Sequence, residues 1–290
     1  MGEKDITEKL LEDYNDVFAD IVNVLLFDGR EVVKEDSLES TDVHSQYKAD
    51  DSKMHELERD VMKYWKDGNV KIALFGIENQ TAVDKLMPFR VMAYDGASYK
   101  SQISAGYKSM LPVITFVLYF GKERWKGHKN LKSSLNLPEE LERYVSDYSI
   151  NVFEVSWLSD EQIKFFKSDF RVVAEYFVQK RIDPNHVTGD KTVIKHIDEV
   201  LKLMSVFTGD RRFEEIINHP ENKEVNTMCE VLDNIWNDGN IKGLEKGKSE
   251  GIAITLYSLV HDGDLSIEKA SARMNISVSE FEKLMKNAGY

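Results

Sequence analysis

VKIALFGIENQ, residues Val70–Gln80, is the stretch on which the fold turns. It is apolar on both faces of an extended chain through Ile77, as a central sheet strand has to be. Side chains alternate along a strand, so Glu78 and Gln80 share a face. An acid that ends an otherwise buried strand is costly unless it is paired or bound to a cation. Glu78 is therefore the first candidate for chemistry. Lys66-Asp67-Gly68-Asn69 lies just before this strand, and a short Asp-Gly-Asn turn joins antiparallel partners. Residues 58–65 (ERDVMKYW) read as the other arm of the hairpin. That arm carries Asp60 and can bring it beside Glu78. Two carboxylates at one strand end suit Mg2+, which prefers hard oxygen ligands and keeps several waters. Such an ion polarises a phosphodiester and lowers the pKa of a bound water. A plainer reading stands beside this one. Asp60, between Arg59 and Lys63, is then a surface residue in ion pairs, and Gln80 an ordinary polar residue after the strand.

Outward from the hairpin, residues 7–27 space their apolar side chains by three and four, the pattern of an amphipathic helix stopped by Asp28-Gly29. Residues 31–39 hold a short strand and residues 40–54, polar and acidic, a loop. On the far side a helix is expected over 83–108, with Met87-Pro88 near its start. A second strong strand follows over 112–120 (PVITFVLYF), then an alternating apolar run over 150–157. Helix, strand, hairpin, helix, strand makes an α/β unit with a mixed central sheet over residues 1–158. The remainder reads as all-helical. Residues 159–238 carry two long amphipathic patterns parted by Asp183-Pro184-Asn185. Residues 239–251 set Gly239, Gly243, Gly247 and Gly251 at every fourth place, either for a close helix contact or as a solvated linker. Residues 252–290 form a small tail resembling a helix-turn-helix, with Ser266 and Ser277 as N-caps. A homo-oligomer through these C-terminal helices is one expected partnership.

The totals narrow the class. With 290 residues the chain holds one to three compact units, and its single cysteine, Cys229, excludes an internal disulfide. The N-terminus is charged from its third residue, without the apolar run of a signal peptide. No apolar stretch is long enough to span a bilayer, so a cytoplasmic protein without a membrane partner is expected. Phosphate-loop, dinucleotide and nucleophile-elbow motifs are absent, as is a Cys pair, and the seven histidines show no zinc spacing.

Asp60 followed by Glu78-Asn79-Gln80 resembles the D…(D/E)-x-K signature of the PD-(D/E)XK nuclease superfamily, with Gln80 in the lysine place. The surrounding wording, "RDVMKYW", "FGIENQT", "MPFRVMAYD" and "ISAGYKSMLPVITFVLYFG", resembles the bacterial recombination-promoting nuclease and putative transposase family, which includes the YhgA-like transposases. The resemblance covers residues 13–158 closely and the rest loosely. It implies a restriction-endonuclease-like core and a DNA endonuclease that hydrolyses phosphodiesters with Mg2+, Mn2+ or Ca2+, acting in recombination or transposition. It also implies Asp60 and Glu78 as metal ligands, the carbonyl of Asn79 as a third, and Gln80 orienting water or phosphate. Asp16 of the first helix, or Asp20 one turn on, would complete the site. A glutamine carries no charge and does not replace the lysine's Coulombic role. That departure favours a second reading, an inactive nuclease fold kept for protein interaction.

A net charge of −13 repels DNA at long range, so phosphate contacts must come from local cations. GKERWKGHKNLK, residues 121–132, supplies them directly after the second strong strand. Lys122, Arg124, Lys126 and Lys129 are the candidate backbone contacts, and Trp125 either stacks on a base or packs on the core. On the expected helix after Glu78, Arg90 either approaches DNA or braces the site.

Overall fold

The computed structural model describes residues 11–41, 44–48, 54–58, 60–184, 186, 191–218 and 226–290, with 44–48 and 54–58 as backbone course alone. Its strands are β1 (Leu38–Ser40), β2 (His44–Lys48), β3 (Met54–Glu58), β4 (Val61–Asp67), β5 (Val70–Gln80), β6 (Val113–Tyr119) and β7 (Asn151–Glu154). β2 and β3 pair with each other, and the other five form one sheet in the order β1-β4-β5-β6-β7. β5 lies at its centre, antiparallel to β4 and parallel to β6, and β6 is parallel to β7. The sheet is therefore mixed. Parallel neighbours need a crossover, and the helix Met87–Ser104 between β5 and β6 provides it.

Two faces follow from the register. On one, Glu78 and Gln80 lie beside Val117 and Tyr119 of β6. Val117 and Tyr119 pack with Met87 and Val91 of the crossover helix, so this face is the one the helix covers. On the other, Val61 pairs with Ile77 and Lys63 with Phe75. The Lys63 ammonium there stands 5.6 Å from the ring of Phe18, on the helix Asn15–Phe27. We name these helices α1 (Asn15–Phe27) and α2 (Met87–Ser104).

Several expected boundaries move. The first helix is broken: Leu11 and Glu12 are helical, Tyr14 is extended at φ −70° and ψ 128°, and α1 begins at Asn15. Residues 7–10 lie outside the described residues. The strand expected over 31–39 is a 3-10 turn, Glu35–Ser37, leading into β1. The loop expected over 40–54 instead contains β2 and the first residue of β3, and residues 42–43 and 49–53 lie outside the described residues. Asp60 sits at the bend just before β4 rather than within a strand.

The chain divides into two compact units, Met1–Val231 and Leu232–Tyr290. After α3 (Leu131–Ser134), the helices α4 (Asp160–Phe165), α5 (Phe170–Ile182), α6 (Ile197–Thr208) and α7 (Arg212–Asn218) belong to the same unit as the sheet. Phe120, just past β6, is the anchor. Its ring lies 6.3 Å from Phe170, 5.3 Å from Phe177 and 4.1 Å from Phe207. α8 (Met228–His261) crosses the unit boundary as one continuous helix and contains all four stepping glycines. In the second unit α9 (Ile267–Met274) and α10 (Val278–Asn287) fold on the end of α8 around Leu256, Tyr257, Ala270 and Phe281. Ser277 caps α10, accepting the backbone N–H of Glu280 at 3.2 Å.

Candidate active site at the end of β5

The antiparallel register begins with Val61 opposite Ile77, so Asp60, at the bend just before β4, comes to the end of β5 where Glu78 and Asn79 lie. Asp60 Oδ2 accepts the backbone N–H of Asn79 at 2.6 Å, which fixes its carboxylate at the carboxyl end of β5. Glu78 is 2% exposed. Its Oε1 accepts from Arg90 Nη2 and from Gln80 Nε2, the latter at 3.2 Å. Arg90 comes from the first turn of α2. Its Nη1 donates to Asp84 at 3.0 Å, and its Nη2 also reaches the Tyr94 hydroxyl at 3.1 Å. Burial, the largest single influence, works against the Arg90 charge, and Glu78, Tyr94 and Asp84 together more than reverse it, holding the guanidinium above its ordinary range. The Tyr94 phenol is raised by burial first and by Glu78 next, and it also feels Asp60. Both carboxylates therefore act on the same buried hydroxyl.

The first-helix acid that reaches this strand is Glu12, fully buried, whose Oε2 accepts from Asn79 Nδ2 at 2.6 Å. Alternation puts Asn79 on the sheet face opposite Glu78, so Glu12 approaches from behind the strand. The remaining side-chain oxygen of Asn79 is a buried acceptor that no described donor meets. Asp16, expected in this place, pairs instead with Lys195 at 2.8 Å and His196 at 3.3 Å. Burial pushes its carboxyl up, and those two partners more than reverse this, leaving it below the usual range. Asp20 accepts the backbone N–H groups of Lys167 and Ser168 at 2.8 and 2.7 Å, and burial holds its carboxyl above the usual range. The break at Tyr14 explains the difference: it turns Glu12 toward β5 and leaves Asp16 on the stripe that meets the segment before α6.

Trp125 is 7% exposed and belongs to the core, edge-on to Tyr119 at 5.1 Å and clustered with Met87, Val91, Val117 and Ile150. Base stacking by Trp125 is thereby corrected, because its faces are already covered. Its indole N–H is buried without a partner among the described residues. Trp125→Phe therefore loses no hydrogen bond, and thermal melts should show a cost within about 1 kcal/mol. Lys122, Lys126 and Lys129 are exposed on this loop. Arg124 is half-exposed, donating to Glu154 at 3.2 Å.

The fold and site define an α/β protein with a mixed five-stranded sheet and an acidic, arginine-braced end to its central strand. The family described as "Putative transposase, YhgA-like" matches residues 62–210, and the chain belongs to this family. Its description carries a transposition-related role. Glu78, Gln80, Arg90 and Tyr94 lie within the matched span, and Asp60 lies two residues ahead of it. No curated protein and no solved structure gives a match. Among the described residues no helix is long and apolar enough to cross a membrane.

Proposed function

We propose that this protein is a divalent-metal-dependent DNA endonuclease, with Asp60 and Glu78 as the ion-binding pair. The observation that supports the reading is that Asp60 Oδ2 accepts the backbone N–H of Asn79, the residue next to the buried Glu78, at the carboxyl end of β5. Parallel strands present ligands at that end. Among the described residues no three His, Cys, Asp or Glu side chains converge as a metal cluster. Two carboxylates still fit magnesium, which is bound through one or two of them with water and substrate phosphate filling the rest. When bound, the ion supplies Lewis-acid polarisation of the phosphodiester and a more acidic water.

The chain's own residues account for the rest. Arg90 supplies the positive charge that Gln80 lacks, and Asp84 and Tyr94 hold its planar fork in place. A phosphate oxygen competes with Glu78 for that guanidinium, so an arriving DNA backbone frees the Glu78 carboxylate for the ion. The Gln80 amide, on the same face, orients water or a phosphate oxygen. The family description names a putative transposase, and on our reading such cutting serves transposition or recombination.

A second reading is favoured by one specific observation. The ion pair between Arg90 and Glu78 already neutralises the buried acid without a metal. On that reading the fold serves protein interaction and has no chemistry. Supercoiled plasmid incubated with the protein and Mg2+, Mn2+, Ca2+ or EDTA separates the two. Nicked circles with Mg2+ or Mn2+ and none in EDTA are expected. Intact plasmid under every metal, with protein shown to be folded, gives the interaction reading the field.

A further inference from the structure

We propose that Arg124, Trp157 and Arg181 form a clamp for the phosphodiester backbone of duplex DNA, beside the carboxyl end of β5. This rests on the nuclease reading and adds a second contact site to it. Trp157 ends the 3-10 turn Val155–Trp157 that follows β7. The Arg124 guanidinium lies 4.0 Å from its ring centroid and the Arg181 guanidinium 3.9 Å. At that distance each guanidinium carbon lies over the ring, so one indole gathers two cations, brought from the loop after β6 and from α5. The indole N–H is fixed in turn by the carbonyl of Lys122, at 3.2 Å.

Like charges held this close repel, and the two are balanced unequally. Arg124 has Glu154 as its counter-ion. Arg181 donates its Nε to the carbonyl of Ser156 at 2.7 Å, and among the described residues it forms no ion pair with a carboxylate. Its terminal nitrogens are left to other partners, in a chain where 51 acids outnumber 38 basic residues. Lys122, Lys126 and Lys129, on the loop that carries Arg124, are exposed and also without an acid partner among the described residues. A guanidinium pinned through Nε and stacked on an aromatic face is pre-organised, so it loses little freedom when an anion arrives. Phosphate is the anion such forks match.

Placement ties the clamp to the proposed active site. Ser156, which holds Arg181, donates its hydroxyl to the carbonyl of Phe120 at 3.1 Å. The Phe120 N–H donates to the carbonyl of Gln80 at 2.8 Å. Arg181 is thus linked by successive hydrogen bonds to the last residue of β5. With two guanidiniums already over Trp157, the groups on offer are phosphate-binding cations, so the site reads backbone and not bases.

The test is binding of a fluorescent duplex in EDTA, where cutting is stopped, measured across a salt series. Arg181→Met is expected to bind about tenfold more weakly near 0.1 M salt, with the slope of log K against log salt reduced by about one. Trp157→Phe keeps a smaller stacking face and should fall between this variant and the wild type. Lys100→Gln, on exposed α2 surface, should match the wild type in both affinity and slope. A merely structural role for Arg181 would lower the melting temperature and leave the salt slope untouched, and that result overturns the clamp alone. Wild-type protein that binds no duplex at any salt overturns both the clamp and the nuclease reading.

Discussion

Asp60→Asn and Glu78→Gln are each expected to lower metal-dependent nicking on the order of a thousandfold, the scale of removing a group that acts on the transition state. The substitutions are nearly isosteric, so the fold is not the reason. The amide introduced by Asp60→Asn still offers an oxygen to the backbone N–H of Asn79, which the Asp60 carboxylate meets at 2.6 Å. At Glu78 the charge partner of Arg90 is lost, yet Asp84 and Tyr94 still hold the guanidinium. What both variants lose is negative charge at the strand end, and a divalent ion depends on that charge more than on shape. Raising the metal concentration should therefore recover part of the Asp60→Asn activity before it recovers any of Glu78→Gln, the more deeply buried ligand. Wild-type rates from both variants, at matched melting temperatures, would remove this pair from the mechanism.

How much of this is legible in the sequence depends on how local each cause is. β5 is readable to its bounds because both faces are apolar and a Gly68-Asn69 turn precedes it, and the same holds nearly to the residue for β6. The hairpin brings Asp60 to the end of β5, where it meets the backbone N–H of Asn79, although Asp60 falls at the bend and not in the strand. β2 and β3 escape the sequence reading because HSQYK and MHELE lack a sustained apolar alternation. Glu12 escapes it for a different reason. Apolar spacing runs through residues 10–18 without a gap, so the sequence offers no sign that Tyr14 leaves the helix, and an unbroken helix favours Asp16. Trp125 and Trp157 show the limit of composition. The basic loop around Trp125 invites a stacking role, but Trp125 fills the core against Tyr119. Trp157 instead carries the cations, and one of them arrives from α5, too far along the chain for any local pattern to reveal.

Lys63 is where the buried charge should be felt most strongly in stability. In the sequence it is only a cation near Asp60, but in the fold it is fully buried. Its Nζ donates to the carbonyl of Asp13 at 2.7 Å and to Ser40 Oγ at 3.0 Å, with the Asp13 carboxylate 3.9 Å away. It joins β4 to β1 and to the break before α1. Lys63→Ala removes a packed four-carbon stem and both hydrogen bonds, and is expected to cost about 3–4 kcal/mol by urea denaturation. Lys63→Met keeps most of the volume and should cost less. The pH dependence has a definite sign. Burial pushes the Lys63 amine below its ordinary value, and Asp13 only partly restores it. The unfolded chain therefore holds the proton to higher pH than the folded one, and stability from this group rises with pH between the folded and unfolded pKa values. Below the folded value both states are protonated, and the full desolvation cost of the ammonium persists. Wild type should thus gain on Lys63→Met as pH climbs from neutral toward the ordinary lysine range, about 10.4. A stability difference that stays flat, or shrinks, over that range would mean that the ammonium is solvated and not buried between β4 and α1.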